Sequence, residues 1–259
     1  MKILFIGDIV ASPGRDAVKE VLPKLKKETG ADFVIANAEN LAHGRGATEE
    51  TVHEMMNAGV NYFTGGDHLF WHPGFEDVVD SLPVIRPANY PNPFPGNGSV
   101  IIDLKEHGNL LLVNLMGRTS FGGQNSYLND PFRTIDSILE QVKDKNIAIS
   151  IVDFHAEATS EKAALGFYLD GRVTAVVGTH THIPTCDNRL LPKGTMFVSD
   201  IGMTGNIDSV LGVKKEIIIK QFLTASNQKF EWESTGNKAF RSVLLDISNK
   251  VITRFDLNI

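Results

Sequence analysis

The stretch that decides the fold is KILFIGD at residues 2–8, an apolar run that ends on a carboxylate. Two later stretches repeat the arrangement, DFVIANAEN at residues 32–40 and NYFTGGDH at residues 61–68. Short runs rich in β-branched and aromatic residues are typical of buried strands. The sequence therefore predicts three strands, each followed closely by polar side chains.

Helical patterns fill the two gaps between these strands. Ser12 and Pro13 are expected to be the N-cap and the first residue of a helix that stops at Gly30. Thr48 is expected to cap a second helix, EETVHEMMNA, which Gly59 ends. The resulting order βαβαβ predicts parallel strands. Their carboxyl ends meet at one edge of the sheet, where open α/β sheets bind ligands.

The rest of the chain supplies a second set of elements. SVIIDL and NLLLVNLMG, residues 99–104 and 109–117, are expected to pair as an antiparallel hairpin. A helix from about Pro131, the strand IAISIVDF, another helix and the strand VTAVVG restore the α/β alternation. The last apolar segments, TMFVSDI, AFRSVLLDI and VITRFDL, are expected to be strands of a second sheet. We predict two sheets with helices outside them, in a single domain that spans residues 1–259.

Composition excludes several classes of partner. The chain has 31 acidic and 25 basic residues and a formal charge of -6, which gives no reason to expect a nucleic-acid duplex or an anionic membrane. No stretch approaches the roughly 20 apolar residues of a membrane span. Cys186 is the single cysteine, so it cannot form an intramolecular disulfide, and we expect it to pack against other residues. A cytoplasmic location is expected, and a homo-oligomer is left open.

Side chains that bind divalent metals occur in the loops after five apolar strands. They are Asp8, Glu39, Asn40, Asp67, His155, His180 and His182. Taken alone, Asp8 could cap a helix and His155 could be a core histidine, which would be purely structural roles. Carboxylates, carboxamides and imidazoles in one pocket are, however, the donors of catalytic metal sites. Seven donors exceed the needs of one ion, so the sequence predicts two.

Histidine spacing adds to this prediction. His180 and His182 form an i, i+2 pair, which in an extended segment directs both rings to one side, as a shared metal site requires. The remaining histidines outside the predicted site have weaker contexts: His43, His53, His72 and His107. Of these, His43 and His72 lie close enough to the ligand loops to be outer candidates. The absence of the dinucleotide, P-loop and nucleophile-elbow motifs leaves metal-dependent chemistry as the main hypothesis.

The order of these motifs resembles the calcineurin-like metallophosphoesterases. The matching segments are Gly7-Asp8, Asn37-Ala38-Glu39-Asn40, Gly66-Asp67-His68, Phe154-His155 and Gly178-Thr179-His180-Thr181-His182. Val10 stands where that superfamily has a histidine ligand, and Glu39 with Asn40 replaces its second aspartate motif. The opening MKILFIGDIVASPGR, the NAEN loop and the segment THTHIPT are similar to the YmdB-type branch of bacterial phosphodiesterases, and the similarity covers nearly the whole chain.

The resemblance implies a fold and a set of roles. The fold is a four-layer α/β/β/α sandwich. Two divalent ions, iron or manganese with zinc and magnesium as alternatives, would be bound by Asp8, Asn40 and His182 on one side, by Asp67, His155 and His180 on the other, and by Glu39 as the bridge. His68 would be the general acid. The branch usually carries asparagine where this chain has Asp67, and the extra negative charge is expected to lower the catalytic rate more than it affects metal binding.

The implied reaction is hydrolysis of a small phosphodiester, with 2',3'-cyclic nucleotides as the favoured substrates. A hydroxide that bridges the two metals would be the nucleophile. Two alternatives stay open: a phosphomonoesterase acting on nucleotides or phosphoproteins, and a nucleotide-sensing regulatory protein with weak hydrolysis. The polar loop at residues 117–130 is expected to contact substrate. No base-binding pocket can be identified from the sequence.

Overall fold

A computed structural model describes residues 1–119 and 127–259. The strands are β1 (Lys2–Asp8), β2 (Phe33–Asn37), β3 (Tyr62–Thr64), β4 (Ser99–Asp103), β5 (Asn109–Met116), β6 (Ile147–His155), β7 (Ala175–Thr179), β8 (Arg189–Leu190), β9 (Met196–Val198), β10 (Gly205–Asn206), β11 (Lys238–Asp246) and β12 (Val251–Asn258). The helices are α1 (Ala11–Thr29), α2 (Glu49–Asn57), α3 (Phe75–Val78), α4 (Pro131–Gln141), α5 (Thr159–Tyr168) and α6 (Lys215–Thr224). Short 3₁₀ turns occupy Val79–Ser81 and Lys105–His107.

The strands of the described residues form two six-stranded sheets. The first has the order β10-β11-β1-β2-β3, with β12 also paired to β11, and the second has the order β4-β5-β6-β7-β9-β8. Strands β1, β2 and β3 are parallel to one another, and so are β5, β6, β7 and β9. The predicted parallel arrangement of the first three strands is confirmed, as is the antiparallel hairpin of β4 and β5.

Strand alternation explains how the layers stack. Successive side chains of a strand point to opposite faces of the sheet. Along β1, Ile3 and Phe5 join a core between the two sheets, while Leu4 and Ile6 join a core beneath α1 and α2. A third core lies between the second sheet and helices α4 and α5. Three cores separate four layers, so the predicted α/β/β/α sandwich is confirmed.

The prediction for the last strands was partly wrong. TMFVSDI does supply β9 of the second sheet, but β11 and β12 belong to the first sheet, where β11 pairs with β1 from Lys2↔Asp246 to Ile6↔Ser242. Both faces of β11 are buried, because Val243 faces the core between the sheets and Leu244 faces the helices. Such a pattern identifies a buried strand without identifying its sheet. Helix α6 was not predicted.

Helix starts were predicted with mixed success. Thr48 caps α2 in a capping box with Thr51, and α1 ends at Gly30 in the left-handed conformation, both as predicted. The expected cap at Ser12 was wrong, since α1 begins at Ala11 after Val10, which makes no side-chain cap. At the N-terminus of α1, a backbone carbonyl takes the place of a capping side chain, since the amide of Ala11 donates to the carbonyl of Asn40 at 2.9 Å. Within the described residues, no helix combines the length and apolar character needed to cross a bilayer.

Candidate metal centre

The carboxyl ends of five parallel strands meet at one place. Asp8 is the last residue of β1, and Glu39 and Asp67 follow β2 and β3 of the same sheet. His155 is the last residue of β6, and the loop after β7 carries His180. Parallel pairing in both sheets therefore brings residues that are far apart in sequence to a common edge.

Four of the predicted ligands form one compact group: Glu39, Asp67, His155 and His180. Each offers a donor atom, and these atoms all lie within 4.8 Å of one another. His155 Nε2 is 3.1 Å from a carboxylate oxygen of Glu39 and 3.1 Å from one of Asp67. His180 Nδ1 is 3.0 Å from His155 Nε2. Two carboxylates and two imidazoles at these distances are a donor set for one divalent ion.

A second group consists of Asp8, Glu39 and His182, whose donor atoms also lie within 4.8 Å of one another. Asn40 lies beside it, with Nδ2 2.8 Å from Glu39 Oε1 and 3.2 Å from His182 Nε2. Rotating this amide by half a turn would bring its oxygen to the same position. Glu39 belongs to both groups, so the geometry has one carboxylate between two candidate ion positions.

Without a bound cation, burial of these carboxylates would cost free energy. Asp8 is fully buried, and its Oδ1 makes no hydrogen bond within the described part of the chain. Burial raises the pKa of Asp8 to about 7. Burial also acts to raise the pKa of Glu39, but the neighbouring His155 outweighs it and holds that pKa well below its usual range. A buried carboxylate oxygen that makes no hydrogen bond to a described residue, among imidazoles and further carboxylates, fits a bound divalent ion.

A glycine makes room for the cluster. A Cβ atom built on Gly66 would lie 2.1 Å from Glu39 Oε2 and 2.4 Å from His155 Nε2. Any side chain at this position would therefore displace the donors of the first group. The amide of His68 donates to Glu39 Oε2 at 3.2 Å and helps to hold that carboxylate in place.

Residues behind His155 orient its ring. His155 Nδ1 lies 2.9 Å from Thr179 Oγ1, which donates to Asp153 Oδ1 at 2.8 Å. Burial raises the pKa of Asp153 to about 6. A partner on one ring nitrogen fixes the direction of the other, so Nε2 faces the cluster. Sequence reasoning missed Asp153 and Thr179, although Asp153 stands two positions before His155 on the same face of β6.

The His180–His182 segment has a different conformation from the one predicted. Both residues have positive φ, 100° for His180 and 63° for His182, so the segment is a turn and the prediction of an extended pair was wrong. The two rings consequently reach different donor groups. His182 Nδ1 also lies 3.1 Å from the carbonyl of Leu211. Non-glycine residues with positive φ are often found at functional sites, because the surrounding structure must hold them there.

A buried ion pair supports this turn. Lys162 and Asp200 are each 1% exposed, with Lys162 Nζ 2.5 Å from Asp200 Oδ2. Lys162 also donates to the carbonyl of Thr179 at 2.7 Å, and Asp200 Oδ2 accepts from the amide of Thr181 at 3.1 Å. The pair thus hydrogen-bonds to the backbone on both sides of His180. Sequence reasoning missed it, because neither residue lies in a recognisable motif.

His68 lies at the rim of the centre and is in neither donor group of the described residues. Its Nδ1 is 3.2 Å from Asn40 Oδ1, and its Nε2 is 3.4 Å from Asp67 Oδ2. Burial acts to lower the pKa of His68, but the Glu39 carboxylate prevails and raises it. Its side chain is 27% exposed. The His68 ring therefore lies over the cluster, within 3.4 Å of carboxylate oxygens of both Glu39 and Asp67.

The other candidate residues lie elsewhere. His43 and His72 line a separate cavity, with ring centroids 6.2 Å apart, while His53 is on α2 and His107 is in the turn between β4 and β5. Cys186 is exposed, so the expectation that it packs was wrong. In the predicted substrate loop at residues 117–130, residues 120–126 lie outside the described part of the chain.

With this geometry in place, comparison with known proteins identifies the family. A family model described as YmdB-like protein matches residues 4–256. The chain belongs to the YmdB-like family. A curated relative from Bacillus subtilis (strain 168), named 2',3'-cyclic-nucleotide 2'-phosphodiesterase, is 46% identical over 252 residues, which are 96% of this chain and 92% of the relative.

Solved structures agree with the YmdB-like assignment. A crystal structure of a hypothetical protein from Thermus thermophilus superposes with a TM-score of 0.92 at 39% identity, covering 100% of this chain and 99% of that one. A protein of Mycoplasma pneumoniae described as a novel phosphatase gives a TM-score of 0.89 at 32% identity, covering 100% of this chain and 93% of that one. The resemblance to this family is therefore confirmed.

Proposed function

We propose that this YmdB-like protein hydrolyses small phosphodiesters with the help of two divalent metal ions, and that 2',3'-cyclic nucleotides are its substrates. The observation that carries the proposal is Glu39, a buried carboxylate shared by two groups of metal-binding side chains. The name of the Bacillus subtilis relative supports the substrate class, because the similarity extends over 96% of this chain.

The residues proposed to hold the ions follow the two donor groups. Asp8, Asn40 and His182 would bind one ion, Asp67, His155 and His180 the other, and Glu39 both. Bound divalent ions would activate a water molecule as nucleophile and neutralise charge on the phosphoryl oxygens. Mixed oxygen and nitrogen donors suit iron and manganese, with zinc and magnesium as alternatives.

The chain's own residues then position the reaction. Thr179 and Asp153 keep His155 turned towards the cluster, and Gly66 leaves space for the donors. His68 lies at the rim and lines the adjoining cavity, from which it would donate a proton to the departing oxygen. A ribose alkoxide is a poor leaving group, so this proton matters most for cyclic nucleotides.

The test is to measure metal content and turnover on one preparation. Elemental analysis should find about two metals per chain, and a manganese- or iron-loaded sample should hydrolyse 2',3'-cyclic AMP. Comparing p-nitrophenyl phosphate with bis-p-nitrophenyl phosphate separates the phosphodiesterase from a phosphomonoesterase, which would prefer the monoester. If saturating manganese or iron gave no turnover of any diester while nucleotide binding persisted, a regulatory nucleotide sensor would replace the proposal.

A further inference from the structure

A cavity of about 380 Å³ adjoins the candidate metal centre. Part of its wall is polar and consists of side chains already described, among them Glu39, His68 and His182. Another part is apolar and aromatic and comes from residues 210–232, with Phe222, Phe230 and Trp232 as the large side chains. One cavity thus joins the side chains of the candidate metal centre to a surface that suits a flat apolar group.

Trp232 is held in a fixed position. A Cβ atom on Gly44 would lie 2.1 Å from Cδ2 of the indole, and one on Gly212, whose φ is 99°, would lie 3.0 Å from Cε3. Glycine at these positions lets the backbone approach the indole closely. Trp232 also packs against a small apolar cluster that includes Val10, the residue that stands where the superfamily has a histidine ligand. The indole is therefore preorganised, which lowers the entropy that a ligand would lose on binding.

Phe222 differs from a packed core residue. It lies on α6 and lines the cavity, yet 81% of its surface is exposed. A phenyl ring at the mouth of a cavity can stack on a planar ligand without displacing other contacts. The apolar wall is also connected to the metal centre, because the carbonyl of Leu211 lies 3.1 Å from Nδ1 of His182.

We propose that this cavity binds the nucleoside part of the substrate, with the nucleobase stacked against Phe222 and Trp232 while the phosphate lies at the metal centre. This inference rests on the proposed function and adds the part of the protein that recognises the nucleoside of the substrate. The volume of about 380 Å³ is near the lower end of small-molecule sites, which suits one nucleoside and not a longer chain. A net charge of -6 also disfavours a polynucleotide.

Stacking predicts a particular selectivity. Every nucleobase has an aromatic face, so a stacking wall tolerates different bases. The stacking wall should instead favour binding of cyclic nucleotides over cyclic phosphates that lack a base. Glycerol 1,2-cyclic phosphate is the matched probe, because it carries the same five-membered phosphate ring without a base.

The experiment uses Phe222→Ala with Leu223→Ala as its control. The two residues are neighbours on α6 and each is 81% exposed, but only Phe222 lines the cavity. We expect Phe222→Ala to raise KM for 2',3'-cyclic AMP about 10-fold, within the range of base–aromatic stacking. Its turnover of glycerol 1,2-cyclic phosphate should be unchanged. Leu223→Ala should match the parent on both substrates.

Adenosine binding provides a measurement that does not depend on catalysis. Adenosine has no phosphate, and its titration followed by calorimetry should show binding to the parent and to Leu223→Ala, with about 10-fold weaker binding to Phe222→Ala. Equal effects of Phe222→Ala on both cyclic phosphates, or no effect on either, would overturn the nucleoside site. If the parent hydrolysed no diester but bound adenosine in this pattern, the proposed function would fail and the nucleoside site would stand.

Discussion

Replacing Lys162 with methionine should destabilise the protein strongly. Methionine retains an unbranched apolar stem but removes the ammonium group, which leaves Asp200 buried without its cation at 1% exposure. Breaking a buried ion pair from one side costs about 3–5 kcal/mol. Asp200 keeps two backbone donors, the amides of Thr181 at 3.1 Å and Gly202 at 2.8 Å, so we expect the lower end, about 3 kcal/mol.

Urea denaturation of parent and variant, each prepared with and without metal, measures this loss. Samples without metal are needed because ions bound to the native state add their own stabilisation. A loss of about 3 kcal/mol corresponds to a fall in Tm of about 6–12 °C for a chain of this size. The double variant Lys162→Met/Asp200→Asn should recover part of the loss, since it leaves no unpaired charge. The exposed pair Lys214–Glu231 supplies the control, because Lys214→Met should leave the midpoint unchanged.

Two outcomes would refute this reasoning. A loss below about 1 kcal/mol in Lys162→Met would mean that Asp200 is well solvated or neutral without its partner. A double variant no more stable than the single one would assign the loss to Lys162 itself, through its packed stem and its hydrogen bond to the carbonyl of Thr179. We also expect weaker metal binding by Lys162→Met, since the pair hydrogen-bonds to the backbone around His180.

Three further predictions concern the candidate metal centre. His68→Ala should lose about 10²- to 10⁴-fold in turnover of 2',3'-cyclic AMP. The loss with bis-p-nitrophenyl phosphate should be much smaller, because its phenolate leaves without a proton. Equal losses on the two substrates with metals retained would argue for a positioning role. Glu39→Ala should lose both metals by elemental analysis because the two donor groups share this carboxylate, and two ions bound with unchanged affinity would exclude a bridge. Asp67→Asn should keep its metals and raise diester turnover or lower the pH optimum. The reason is that one negative charge fewer favours ionisation of the nucleophilic water. Loss of metal and activity together would show that the carboxylate is required.

Much of the fold could be predicted from local pattern. Features that are decided by residues close in sequence were predicted: the strands β1, β2 and β3, the cap at Thr48 and the end of α1 at Gly30. The hydrophobic pattern did not show which of the two sheets β11 joins. A strand buried on both faces looks the same in either sheet, and its partner β1 is more than two hundred residues away.

The candidate site divides in the same way. All seven predicted ligands lie at one edge, because parallel strands bring their carboxyl ends together and the sequence already shows which residues follow the strands. The residues that hold those ligands could not be predicted: Asp153, Thr179, Lys162 and Asp200 act through contacts between distant segments. The turn at His180 and the aromatic wall near Trp232 likewise depend on tertiary packing. The sequence alone indicates which side chains are able to bind a metal, because donor chemistry belongs to single residues. Their distances, burial and surroundings are set only when distant parts of the chain meet.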